Sequence, residues 1–130
     1  MPDWTREPTP TTQTGIHRRL HDMLWLLGYD VEDEVAVGRF SLDCYVREIH
    51  LGFEADGYAF HHSKKKPERD AARHAWIMQH AGIPILRVPE KRLSTAHDPQ
   101  LMQEIHDFVR AHYASIDQRR SYAEQDLGGV

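Results

Sequence analysis

The stretch that most constrains this chain runs from Phe40 to His62, FSLDCYVREIHLGFEADGYAFHH. Apolar residues alternate with polar ones on either side of Arg47–His50, the pattern of an antiparallel hairpin with Glu48 and Ile49 at the bend. That register sets Asp43 opposite Glu54, Cys44 opposite Phe53 and Leu42 opposite Ala55. Strand side chains alternate between faces, so Leu42, Cys44, Val46, Leu51, Phe53 and Ala55 form one apolar face. Ser41, Asp43, Tyr45, Glu54 and Asp56 fall on the other. Three carboxylates then share a small patch of sheet, and like charges directly opposite one another repel. Either one carboxyl must hold its proton to higher pH or a cation must lie between them. A hard divalent ion takes one or two protein carboxylates and keeps several waters. Asp43 and Glu54, with the Asp56 carboxylate or the Ala55 carbonyl beside them, are therefore the expected ligands of Mg²⁺ or Mn²⁺. Such an ion polarises a phosphate and acidifies a bound water.

The flanking sequence supplies the rest of a fold. Ile16, Leu20, Met23, Leu24 and Leu27 make an apolar stripe on a helix from about Thr14 to Leu27, with Gly28 placed as its left-handed cap. Val31, Val35 and Val37 mark a strand over residues 30–37. Pro67 opens a second helix that reaches about Ala81 and stops at Gly82. Ile83–Val88 is a short, nearly continuous apolar strand in which Pro84 marks the strand start or an edge position. Asp98 and Pro99 begin a helix striped by Leu101, Ile105, Phe108 and Val109. The order is α-β-β-β-α-β-α. A three-strand meander and a helical crossover to a fourth strand predict an α/β protein, a mixed four-stranded sheet flanked by helices.

With 130 residues, one domain is expected. Residues 1–13, with Pro2, Pro8 and Pro10, read as a flexible or extended arm; residues 14–113 form the domain; residues 114–130 are a polar tail or a helix extension. No apolar run is long enough to span a bilayer, so no membrane partner is expected. Cys44 is the single cysteine, which excludes an internal disulfide and fits a reducing, cytoplasmic setting. On the apolar face it reads as a buried structural thiol. Net charge is −4 with histidine neutral, which argues against tight non-specific binding to nucleic acid. Charge is nonetheless local: residues 61–74 carry Lys64, Lys65, Lys66, Arg69 and Arg73 against Glu68 and Asp70.

Taken together, D-x10-E-x-D-G-x-x-x-H-H from Asp43 to His62, D-x-x-R at Asp70–Arg73 and I-L-R-V at Ile85–Val88 resemble the small nucleases of the PD-(D/E)XK superfamily. The nearest branch is the very-short-patch-repair (Vsr)-like endonuclease group. The resemblance covers about Gly15 to Phe108. It implies a restriction-endonuclease-like core and metal-dependent DNA cleavage, with Asp43 the first metal-binding acid and Glu54 the second. Asp56 stands where the usual pattern has lysine. His17 stands where the first helix of such nucleases often carries a glutamate, and is a candidate accessory residue.

Other candidates follow from chemistry. His61 and His62 lie just beyond the acidic strand, and imidazole near neutrality can move a proton. Lys64, Lys65 and Lys66 would hold phosphate beside such a site. Arg87 reads equally as partner of a carboxylate or contact to the DNA backbone. Asp70 and Arg73 at i, i+3 read as a helix salt bridge. The leading expectation is a Mg²⁺-dependent DNA endonuclease, monomer or homodimer, of a repair, recombination or restriction type. The alternative is a nuclease-fold module that binds DNA or protein without cutting. A third reading, a histidine-rich transition-metal binder, rests on His17 and His21 one helical turn apart and on His61 and His62.

Overall fold

A computed structural model describes residues 2–7, 13–57, 66–94 and 98–126, without the side chains of 66–68 and 122–126. Helix α1 (Gly15–Leu26) leads into strands β1 (Val31–Val37), β2 (Phe40–Val46) and β3 (Leu51–Asp56). Helix α2 (Lys66–Ala81) connects to β4 (Ile85–Pro89), and α3 (Glu90–Leu93), α4 (Pro99–Tyr113) and α5 (Ile116–Asp126) follow. Among the described residues the strands form one sheet in the order β1-β2-β3-β4. The first three are antiparallel, and β4 runs parallel to β3 after the α2 crossover. The mixed sheet and its flanking helices are those expected, with two helices more, α3 and α5. No helix among the described residues is long and apolar enough to cross a membrane.

Local chemistry explains the boundaries. Gly28 has φ 98° and donates to the Trp25 carbonyl, while Tyr29 N–H donates to Leu24 O, a Schellman ending for α1. Asp98 caps α4 by accepting from the N–H groups of Gln100 and Leu101. Pro84 lies just outside β4, and its carbonyl accepts from Gly52 N–H at 2.9 Å.

Two apolar layers sandwich the sheet. Leu20 and Leu24 of α1 and Leu101 and Ile105 of α4 pack on Cys44, Val46, Leu51, Phe53 and Val88. On the opposite face Ile77 and Ala81 of α2 pack on Val37, Leu42 and Tyr45. Cys44 is buried, and burial pushes its thiol pKa far up, as an inert structural cysteine requires.

Leu42 corrects the expected alternation. It belongs to the α2 layer rather than with Cys44 and Val46. The β1–β2 ladder accounts for the change. It pairs Asp33 with Cys44 and Val35 with Leu42 but omits the intervening pair, Glu34 and Asp43. Glu34 there adopts a left-handed φ of 50°. The deformation resets which way side chains point, so Val35 and Leu42 face α2 while Asp33 and Cys44 face α1.

The described segments before α1 and after α4 are tied to this core. The described part of the expected flexible arm is docked: Asp3 N–H donates to Leu26 O at 2.6 Å. The Arg6 guanidinium lies over the Trp25 ring and donates to the carbonyls of Trp25 and Tyr29. At the other end the chain turns after α4, and α5 inserts Arg119, only 4% exposed, among the carbonyls of Ile49, His50, Gly82 and His112. Gly82, with φ 66°, is required there because a Cβ would run into the Arg119 carbonyl. The buried carbonyls of Ile49, His50 and Gly82 take this guanidinium as a partner, and His112 O shares it with Ser115. Arg119→Met should therefore lower stability by roughly 2–4 kcal/mol, read as a shift of the urea midpoint; an unchanged midpoint would show that α5 contributes no such staple.

Candidate active site

The β2–β3 hairpin has the expected register as far as Cys44–Phe53, which is its last ladder pair towards the open end. Beyond that pair the strands are joined by a side chain: Asp43 Oδ2 accepts from Ala55 N–H at 3.1 Å. A pocket of about 410 Å³ opens where the ladder stops. Asp43, Glu54, Ala55 and Asp56 line it, with His17 from α1, Asp70 and Arg73 from α2, and Arg39, Phe40 and Ser41 from the start of β2 and the turn before it. The three acids singled out by the hairpin pattern thus do come together.

Their environments differ. Glu54 is 4% exposed and its Oε1 is held by Arg73 and by His74, whose Nε2 donates at 2.7 Å. Burial alone would raise the Glu54 pKa, but the hydrogen bonds from His74 and Arg73 outweigh it and hold the carboxyl below its ordinary value. Asp43 goes the other way. Burial first, and then the charge of Glu54, push its pKa up, against the smaller opposing effects of His17, the Ala55 N–H and Arg73. His17 Nε2 lies 3.5 Å from Asp43 Oδ2. Asp56 is bound by Arg87, whose Nε donates to Oδ2 at 2.7 Å, and Arg87 also reaches Asp70 at 3.2 Å.

Several expectations change accordingly. The helix pair Asp70–Arg73 is replaced by bridges between elements, Arg73 to Glu54 and Arg87 to Asp70. The reason is distance along the chain against distance in space: the start of α2 passes beside Glu54 of β3 and Arg87 of β4, and the buried Glu54 carboxylate is a stronger partner for Arg73 than a neighbour on the same helix. Arg87 is a carboxylate partner. Asp56 lies in β3, paired with Pro89. His17 reaches the pocket, whereas His21 is buried and its Nδ1 is 2.8 Å from Asp33, so the two do not form a metal pair. His61, His62, Lys64 and Lys65, and the Lys66 side chain, lie outside the described residues. Sequence reasoning missed His74 and the part that Arg73 takes. The available signal was that both follow Asp70 on a helix that must cross over β3.

The donor set bears on a metal ion. Among the described residues no group of three or more His, Cys, Asp or Glu is placed to hold one. Two carboxylates with a backbone carbonyl and waters nevertheless suit a hard divalent cation. Asp43 and Glu54 line one pocket, and after burial the charge of Glu54 raises the Asp43 pKa, a repulsion that a cation between them would relieve. Asp43 and Glu54 fit such an ion on that observation; among the described residues a soft transition metal finds no thiolate or paired imidazoles in this pocket.

A mixed sheet between helices, with acids gathered where the central hairpin opens, defines a nuclease-like α/β fold. The chain is similar to the catalytic domain of the homing endonuclease I-Bth0305I, with a TM-score of 0.62 and 18% identity, over 77% of this chain and 98% of that one. No family model matches the sequence, and no curated protein does.

The raised Asp43 pKa has a consequence for stability. Ionised Asp43 is less favourable in the folded protein than in the unfolded chain. This cost is present in full at neutral pH, shrinks as pH falls through the raised folded-state value, and is gone below the unfolded value. Asp43→Asn keeps the acceptor for Ala55 N–H and removes the charge. It should raise the melting temperature at pH 7 and lose that advantage by about pH 3. A variant less stable than wild type at both pH values would show that Asp43 is a structural acid.

Proposed function

We propose that this protein is a metal-dependent DNA endonuclease that hydrolyses phosphodiester bonds, with Mg²⁺ or Mn²⁺ held by Asp43 and Glu54 and the Ala55 carbonyl beside them. The observation that carries the reading is the pair of pocket carboxylates, of which Asp43 has no arginine or lysine of its own among the described residues. The structural neighbour, an endonuclease catalytic domain, supports the reaction class. The E-x-D-G-x-x-x-H pattern from Glu54 to His61 supports the finer assignment to the Vsr-like branch of PD-(D/E)XK nucleases.

A bound divalent ion would polarise a phosphoryl oxygen and acidify a water. The chain's own residues do the rest. The Ala55 N–H fixes Asp43 Oδ2, and Arg73 and His74 fix Glu54 Oε1, so both carboxylates are oriented before substrate arrives. Hydrolysis forms the bond from water oxygen to phosphorus, breaks the bond to the leaving sugar oxygen and delivers a proton to that oxygen. His17, at the same mouth, and His61 or His62 are the candidates for moving protons. Lys64, Lys65 and Lys66 would neutralise backbone phosphates beside them.

The reading predicts nicking of supercoiled plasmid in Mg²⁺ or Mn²⁺ that stops with EDTA. Asp43→Ala and Glu54→Ala should each lower the rate by about 10²-fold or more. Mn²⁺ should also raise the melting temperature of wild type but not of Asp43→Ala. Equal nicking by wild type and both variants would discard the mechanism. DNA binding with no cleavage in either ion would favour the alternative, a nuclease-fold binding module, which the prior claim of Arg73 and His74 on Glu54 motivates.

A further inference from the structure

The charges around the pocket do not all cancel in place. Glu54 is paired with Arg73 and hydrogen-bonded to His74, and Asp56 and Asp70 share Arg87. Two groups are left over among the described residues. Asp43 is an anion without an arginine or lysine of its own, met only by His17 and the Ala55 N–H. Arg39 is a cation lining the same pocket with no carboxylate partner among the described residues; its guanidinium carbon lies 5.0 Å from the centre of the Phe40 ring. A pocket this rich in carboxylates repels a phosphate unless an uncommitted cation also faces it.

The position of Arg39 is built rather than incidental. Val37 ends β1 and Phe40 begins β2, so Gly38 and Arg39 form a two-residue hairpin turn. Gly38 takes φ 58° at the first turn position, as a type II′ turn requires, and a Cβ there would run into the Trp76 ring. Phe40 in turn packs edge-on against Trp76 at 5.4 Å. The turn is thereby seated on α2, and the Phe40 ring lies beneath the guanidinium, an arrangement that orients arginine without consuming its hydrogen-bond donors.

Resting on the nuclease reading above, we infer that Arg39 binds the phosphodiester backbone of the DNA substrate at the mouth of this pocket, across from Asp43. The two leftover charges then have complementary occupants, a cation at Asp43 and a phosphate oxygen at Arg39. Arginine suits the second role because its planar fork can donate two parallel hydrogen bonds to a phosphate.

The test measures binding of a short labelled DNA duplex by fluorescence anisotropy in EDTA, across a salt series, for wild type, Arg39→Ala, Arg39→Lys and the control Arg110→Ala on the exposed side of α4. Arg39→Ala should weaken binding about tenfold whatever the sequence of the duplex. It should also lower the slope of log K against log salt by about 1. Arg39→Lys should keep the slope and lose part of the affinity, and Arg110→Ala should match wild type. An Arg39→Ala protein with wild-type affinity and slope overturns the assignment, as does a wild-type protein that binds no DNA. The nuclease reading fails separately: a wild type that never nicks plasmid, yet binds DNA through Arg39, removes the reaction and leaves the contact standing.

Discussion

A carboxylate placed in the middle of a sheet, almost out of reach of water, has to be answered by hydrogen-bond donors that are equally fixed. Glu54 sets that condition here, and Arg73 and His74 meet it from consecutive positions of α2. The apolar contacts of Ile77 and Ala81 would let α2 slide along the sheet, since dispersion and hydrophobic contact are non-directional. Two hydrogen bonds to one carboxylate oxygen fix its rotation and axial position. The same choice locates the pocket, because Asp70 and Arg73 line it only when α2 sits in that register.

The interruption of β1–β2 pairing at Glu34 and Asp43 complements this clamp. A regular ladder would keep Leu42 on the α1 side and continue hairpin pairing past Cys44. With the pair missing, Leu42 moves into the α2 layer, close to where a side chain on Gly52 would stand. Asp43 then gains a backbone partner across the hairpin through its side chain rather than its main chain. Bulges and left-handed residues beside functional pockets are a recurrent way of re-aiming one side chain without disturbing a whole sheet. Here the re-aimed residue is the acid with the raised pKa.

Much of this was legible in the amino-acid order, for reasons that are local. The hairpin register followed from a period of two, and Cys44 does face Phe53. Gly28 ends α1 because only glycine takes that φ readily, and Asp98 caps α4 because its side chain can reach the free N–H groups. Asp43, Glu54 and Asp56 line one pocket because the hairpin lays β2 beside β3, although its ladder stops at Cys44–Phe53. The failures are all long-range. The side on which Leu42 packs depended on one deformed pair. The choice of Arg73 between Asp70, three residues away, and Glu54, nineteen away, depended on where a helix lands. The carbonyl nest around Arg119 draws on three separate segments, and nothing in a polar tail announces that one of its arginines will be buried.

The two central acids illustrate how a fold can separate tasks between like charges. Neighbouring carboxyls in one pocket cannot both ionise freely without compensation. Distributing cations evenly would leave each half-satisfied and neither firmly placed. Hydrogen bonds from His74 and Arg73 hold the Glu54 pKa down and fix its carboxylate, while burial and then the charge of Glu54 push the Asp43 pKa up. An incoming cation then has a single place where it relieves the most repulsion. The arrangement costs stability at Asp43 in the resting protein, and this is the expected direction when a fold keeps a charge in reserve for a ligand rather than for its own core.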